Sequence, residues 1–224
     1  VSQQTQGIFI RHGQSMANVG LWDGPFAEIP LTDVGQQQAE ELAQSWDFVP
    51  DLIAVSPFMR TRQTAAPTIA RFAQVPVEYW PIHEFTFWDR AYWGDMTPEE
   101  DQETVVKFWE AADPSHRYGT GAESFADLLG RAEDALGRMA RMKPGSRILL
   151  FTHGHFIQAL RHVLLFPEWT PREKMQSFRG FDERWRVRNV ELARAELTDG
   201  GWRLHEDDTQ PEWLKLAEMA NTHR

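Results

Sequence analysis

Three short apolar runs constrain this chain most: Gly7-Ile8-Phe9-Ile10, Leu52-Ile53-Ala54-Val55 and Arg147-Ile148-Leu149-Leu150-Phe151-Thr152. Each is continuous rather than alternating, as strands buried on both faces of a parallel sheet are. Stretches with helical spacing separate them. Thr32 to Trp46 carries Ala39, Leu42 and Ala43 on one face, and Pro57 to Phe72 follows the second run, with Pro57 suited to a first helical position. Ser124 to Met142 sets Phe125, Leu128, Leu129, Ala132, Leu136 and Met139 at helical intervals, opened by Ser124 with Asp127 three residues on as a cap. Strand alternating with helix predicts an α/β fold: a three-layer sandwich, its mainly parallel sheet covered by helices on both faces. Val190 to Leu197, a Thr198-Asp199-Gly200-Gly201 turn and Trp202 to His205 read as a hairpin. The segment 85–121, aromatic and then acidic, breaks the alternation and reads as an insertion over one sheet edge within a single domain, 1–224.

Composition narrows the function. With 23 Lys+Arg against 33 Asp+Glu the net charge is −10, which argues against a broad basic surface for nucleic acid or anionic membrane. Any anion must be held by a local positive cluster. Zero Cys removes disulfides, thiolate zinc sites and cysteine nucleophiles, and suits a reducing, cytoplasmic compartment. No apolar stretch is long enough for a bilayer, and VSQQTQG lacks a signal pattern. The chain begins at Val1 rather than Met, which leaves open a removed leader. The oligomeric state is not legible.

The chemistry gathers where the runs end. The first run passes into Arg11-His12-Gly13 and the third into His153-Gly154; the second ends in Ser56-Pro57, with Arg60 in the next helical turn. Ligands of open α/β sheets bind at the carboxyl ends of strands, the glycines permit close backbone approach, and a helix N-terminus beside an Arg favours phosphate. Two Arg and two His thus converge in an acidic protein, which suits a phosphoryl pocket.

These residues carry a resemblance to a known family. Arg11-His12-Gly13-Gln14-Ser15-Met16-Ala17-Asn18 resembles the signature of the histidine phosphatase (phosphoglycerate mutase-like) superfamily. The resemblance continues through Leu31-Thr32-Asp33-Val34-Gly35-Gln36-Gln37-Gln38-Ala39, Ser56-Pro57-Phe58-Met59-Arg60-Thr61-Arg62-Gln63-Thr64-Ala65, Gly121-Ala122-Glu123-Ser124-Phe125, Thr152-His153-Gly154 and Asn189-Val190-Glu191-Leu192. It implies a phosphoglycerate mutase-like fold, with His12 as the nucleophile that becomes a phosphohistidine. Arg11, Arg60 and His153 match the groups that hold the phosphoryl oxygens, and Asn18 and Gly154 line the same pocket. Glu84 matches the proton donor to the leaving oxygen. The chain departs from the family at Trp88, where a Gly is common, which leaves Asp89 and Asp95 as rival acids. It also reads His153-Gly154-His155 where another branch has His-Asp, which favours Glu84.

The implied reading is a phosphomonoesterase acting on a small organic phosphate or a phosphorylated protein side chain, with no metal or other cofactor. His153 and His155, two apart on a strand, would point opposite ways and make a poor metal site. A bisphosphoglycerate-dependent mutase and a silent phosphate-binding module are the alternatives; Gln14, where mutases of the family have Glu, favours hydrolysis. Asn18 as a turn former, Glu84 as a solvated carboxylate and Arg62 as a surface residue are the plainer readings. Phe85, Phe87, Trp88 and Trp93 either pack the insertion or line a cavity. His83 and His162 carry no motif.

Overall fold

The computed structural model describes residues 4–87, 98–210 and 212–213. In chain order the elements are β1 (Gln6–Arg11), α1 (Asp33–Ser45), β2 (Leu52–Val55), α2 (Met59–Arg71), β3 (Val77–Tyr79), α3 (Pro98–Ala111), α4 (Phe125–Ala140), β4 (Arg147–Thr152), α5 (Gly154–Leu165), α6 (Pro171–Arg184), β5 (Leu192–Thr198) and β6 (Gly201–Leu204). The sheet order is β3-β2-β4-β1-β5-β6. β1, β2, β3 and β4 run parallel, while β5 and β6 add an antiparallel margin.

The continuous apolar runs are explained by the two layers they feed. Successive side chains leave a strand on opposite faces. Ile8, Ile10, Ile53, Val55, Leu149 and Phe151 therefore pack with Leu42 of α1, Trp46 just after it and Ala65 of α2. Phe9, Leu52, Ala54, Ile148 and Leu150 pack on the other face with Phe125 and Leu128 of α4, Phe156 of α5 and Phe178 of α6. Helix α4 begins as its sequence indicates: Asp127 N–H donates to Ser124 Oγ, and the Asp127 carboxylate accepts from Ser124 N–H at 2.7 Å.

Several local expectations differ from the structure. Phe58 is the extended residue before α2, so Pro57 lies outside the helix; the Thr61 hydroxyl donates to the Ser56 and Phe58 carbonyls and fixes that start. The hairpin begins at Leu192 because Val190 turns the chain with φ 53°. Within 85–121, Phe85, Phe87 and Phe108 are buried and Trp109 packs partly buried beside them, in the cluster that includes Phe125 and Phe178. The described part of this segment therefore lies on the helical layer rather than along a strand edge. Trp88 and Trp93 fall outside the described residues. Among the described residues no helix is long and apolar enough to cross a membrane.

One close approach sets the position of the turn after β1. A Cβ on Gly35 would lie 2.0 Å from the Gln14 carbonyl oxygen, and one on Gly13 would lie 2.7 Å from the Gly35 carbonyl oxygen. The start of α1 is thereby pressed against residues 13–14, where Thr32 N–H donates to the Gln14 carbonyl at 2.9 Å. Gly35→Ala is expected to cost about 1–3 kcal/mol, the usual penalty of overpacking, because the clash falls on backbone. Urea denaturation tests this; a variant as stable as the parent would contradict the packing.

Candidate active site

The carboxyl ends of β1, β2 and β4 bring the candidate residues together. His12 is 3% exposed, Arg60 2% and His153 fully buried; the two imidazole rings meet edge to face with centroids 5.3 Å apart. His12 Nδ1 lies 2.7 Å from the Gly13 carbonyl oxygen. A carbonyl can only accept, so Nδ1 carries the hydrogen and the neutral ring keeps its lone pair on Nε2. Burial first, then Arg60 and Arg11, hold the His12 pKa well below the ordinary histidine value, which keeps the ring neutral.

Both guanidiniums are held by backbone oxygens. Arg11 donates through a terminal nitrogen to the Val187 carbonyl at 2.5 Å, and Val190 N–H in turn donates to the Arg11 carbonyl. A φ of 53° at a β-branched residue is strained, and it lies in the loop that wraps Arg11. Arg60 donates to the Phe26 carbonyl at 2.9 Å and sits over the rings of Phe26 and Phe58. Burial lowers its pKa to about 10, a measure of how poorly the pocket solvates this cation. Arg11 Nε and His153 Nδ1 are buried without a hydrogen-bond partner. Such polar atoms are uncommon in folded proteins, and beside two buried arginines they are fitting donors for an oxyanion.

Glu84 lies in the loop after β3 with its side chain 15% exposed. It accepts from His155 N–H at 3.0 Å and Phe85 N–H at 3.1 Å, and its charge acts on both Arg11 and Arg60. Asp89 and Asp95 fall outside the described residues. Gly154 opens α5, and a Cβ there would lie 3.6 Å from Arg11 Nε. The Asn18 side-chain oxygen accepts from Ser15 N–H and from Asn189 Nδ2, so Asn18 shapes the turn as well as flanking the site. Arg62 is exposed.

His155 corrects one expectation. The strand stops at Thr152 and α5 starts at Gly154, so His155 is a helical residue rather than a strand neighbour of His153. Among the described residues no group of three His, Asp or Glu side chains could hold a metal ion.

Sequence reasoning left several positioning residues unassigned. Ser56 Oγ shares a 2.8 Å hydrogen bond with His153 Nε2, and Asn189 Nδ2 donates to the His12 carbonyl at 3.0 Å. The Thr64 hydroxyl accepts from Gly13 N–H and donates to the Arg60 carbonyl, joining two site segments. Arg131 pairs with Glu123 at 2.7 Å and donates to the Pro81 and His83 carbonyls, while Thr86 N–H donates to Glu123. That network grips the loop bearing Glu84. Ser56, Thr64, Glu123 and Asn189 all stand inside the motifs quoted above; Arg131, one residue in a helix, had no such signal. His83 is also nearer the site than its lack of motif indicated, its ring 5.4 Å from that of Phe58.

Comparison with known proteins gives the family. A family model described as histidine phosphatase superfamily (branch 1) matches residues 8–208. The chain belongs to that superfamily. The adenosylcobalamin/alpha-ribazole phosphatase of Escherichia coli (strain K12) is 30% identical over 175 residues, covering 76% of this chain and 82% of that protein. The metal-independent phosphoserine phosphatase of Arabidopsis thaliana is 29% identical over 166 residues, covering 71% and 68%. Among solved structures, the phosphoserine phosphatase of Entamoeba histolytica shares the fold with a TM-score of 0.68 at 24% identity, covering 90% of this chain and 95% of that one. The histidine phosphatase fold and the mixed six-stranded sheet are one observation.

The buried imidazoles have a consequence for stability. Besides His12, burial and then Arg60 depress His153, burial and Arg131 bring His83 to about 4, and burial brings His162 to about 4. Each takes up a proton in the unfolded chain below about pH 6.5 but not in the fold, so stability falls as the pH drops below that value. His155 has the opposite sign: burial lowers its pKa but Glu84 and Asp182 outweigh it and raise it, so its contribution is present at low pH and lost as pH rises through its folded value. The four depressed histidines outnumber it. Stability from urea melts should be lower at pH 5.5 than at pH 7.0 by about 3 kcal/mol, whereas equal stability at the two values would contradict neutral buried histidines.

Proposed function

We propose that this chain is a metal-independent phosphomonoesterase that works through a phosphohistidine on His12. The observation that carries the reading is the His12 ring, its Nδ1 committed to the Gly13 carbonyl and its pKa depressed by burial, Arg60 and Arg11, with His153 edge-on beside it. A free Nε2 lone pair is what attack on phosphorus requires. Arg11, Arg60 and His153 stabilise the phosphoryl oxygens, with the unpartnered Arg11 Nε and His153 Nδ1 as donors. The first amides of α5, from Gly154 onward, and Asn18 border the same pocket.

The chemistry divides into two displacements. Nε2 forms a bond to phosphorus as the P–O bond to the alcohol breaks, and the Glu84 carboxylic acid gives its proton to the departing oxygen. Water then attacks the phosphohistidine, Glu84 takes the proton, and inorganic phosphate leaves with Nε2 free again. Relatives named as phosphatases, one of them metal-independent, support hydrolysis without a metal. The substrate is a small organic phosphate or a phosphorylated protein side chain.

His12→Ala should abolish turnover of a panel of phosphate esters while leaving the protein folded. Rapid acid-free quenching of the parent with labelled substrate should trap one phosphate per chain, stable in alkali and released in acid. Retained activity in the variant would overturn the mechanism, and efficient isomerisation of 3-phosphoglycerate with negligible phosphate release would move the protein to mutase chemistry. EDTA should leave turnover intact and vanadate should inhibit it; loss of activity in EDTA, restored by a divalent metal, would contradict metal independence.

Glu84→Gln separates acid from nucleophile. An alkyl ester, whose leaving oxygen needs a proton, should slow by about 100-fold or more, while a p-nitrophenyl ester should lose far less. Equal losses would assign Glu84 to binding or structure.

A further inference from the structure

His155 has no part in the scheme above, yet it is the second residue of α5 and its ring lies between two carboxylates. Nδ1 is 3.7 Å from Glu84 Oε1, and Nε2 is 3.7 Å from Asp182 Oδ2. Asp182, on α6, is oriented by a 3.1 Å hydrogen bond from Gln158 Nε2. Phe85 and Phe178 flank the ring, with centroids 6.5 and 5.8 Å away. A neutral imidazole has one N–H and would turn a lone pair toward one of the carboxylates; the imidazolium offers a hydrogen to each.

The placement is otherwise unfavourable. The N-terminus of a helix repels a cation, and Arg11 on β1 opposes it as well. Two carboxylates, from the β3–α3 loop and from α6, outweigh both. Arg60 on α2 also bears on Glu84, and Arg186 on Asp182. Against burial, Glu84 and Asp182 raise the His155 pKa, in keeping with the geometry.

We propose that His155, anchored by Asp182, is a positioning residue that shares one proton with Glu84 and so keeps the acid loaded where an isolated carboxylic acid would be ionised. The proposal rests on Glu84 being the proton donor. In the first displacement the pair gives its proton to the leaving oxygen through Glu84, leaving a carboxylate and a neutral His155. In the second, the proton released by the attacking water returns to Glu84 and passes to His155 Nδ1. The pair loses one proton and regains one, so the cycle balances as ester plus water to alcohol plus phosphate. About 1 Å of ring movement closes the 3.7 Å gap to hydrogen-bond distance.

Two interacting groups titrate as a pair, and this gives a signed test. The alkaline limb of kcat/KM for an alkyl phosphate reports loss of the shared proton. In His155→Gln the proton rests on Glu84 alone, so that limb should move to lower pH by about one unit or more. Asp182→Asn should move it the same way by less, and serves alone if the His155 variant does not fold. The p-nitrophenyl ester should show little change in either variant. A limb that stays in place while both esters slow equally would mean a structural role and overturn the proposal. Trapping of phosphohistidine in the same variants separates the two readings: label trapped with an unmoved limb sinks only the shared proton, whereas no label in the parent sinks the mechanism beneath it.

Discussion

The short hydrogen bond from His12 Nδ1 to the Gly13 carbonyl oxygen, 2.7 Å long, decides which nitrogen of the ring is free, and much of the surrounding structure serves to hold the turn that makes it. Gly35 abuts Gln14 with no room for a Cβ, Thr64 takes the Gly13 amide, and Asn189 takes the His12 carbonyl. α1, α2 and the loop before β5 therefore all bear on three residues at the end of β1. The ring is neutral because water is excluded and two guanidiniums stand beside it. The same two guanidiniums are, in the proposed function, what attracts an anionic substrate.

That arrangement concentrates positive charge inside a protein of net charge −10. Burying cations is costly unless they are hydrogen-bonded, and the fold supplies carbonyls from Val187 and Phe26 for this purpose, with aromatic faces around Arg60. Arg11 Nε and His153 Nδ1 are buried with no hydrogen-bond partner among the described residues, and in the proposed function they are donors for the phosphoryl oxygens. Glu84 acts on both arginines and also faces His155, which lies between it and Asp182.

Much of this was legible in the sequence because its signals are local. Apolar runs that stop at Arg-His-Gly and His-Gly mark strand ends without any tertiary information, and Ser124 with Asp127 marks a helix start by capping chemistry. Other elements had weaker signals. β3 is three exposed residues, too short for either an alternating or a continuous pattern, and it pairs only because β2 offers an edge. α6 carries the capping box Thr170–Glu173, within which Pro171 opens the helix, a start that is local in the sequence. The two-residue spacing of His153 and His155 holds no information on whether the strand or the helix claims the second, and the helix does. The loop bearing Glu84 is held by Arg131 of α4 and by Glu123 just before its cap, tertiary contacts across 37 and 48 residues that no local pattern encodes.

The protonation state of one ring tests this account most directly. Nitrogen-15 NMR of the histidines, titrated from pH 8 to pH 5 and assigned by His12→Ala, reports which nitrogen of His12 bears hydrogen and whether the second nitrogen ever gains one. The account requires a neutral ring with hydrogen on Nδ1 and an unprotonated Nε2 across that range. A His12 that titrates near the ordinary histidine value of about 6.5, or one that carries its hydrogen on Nε2, would contradict it.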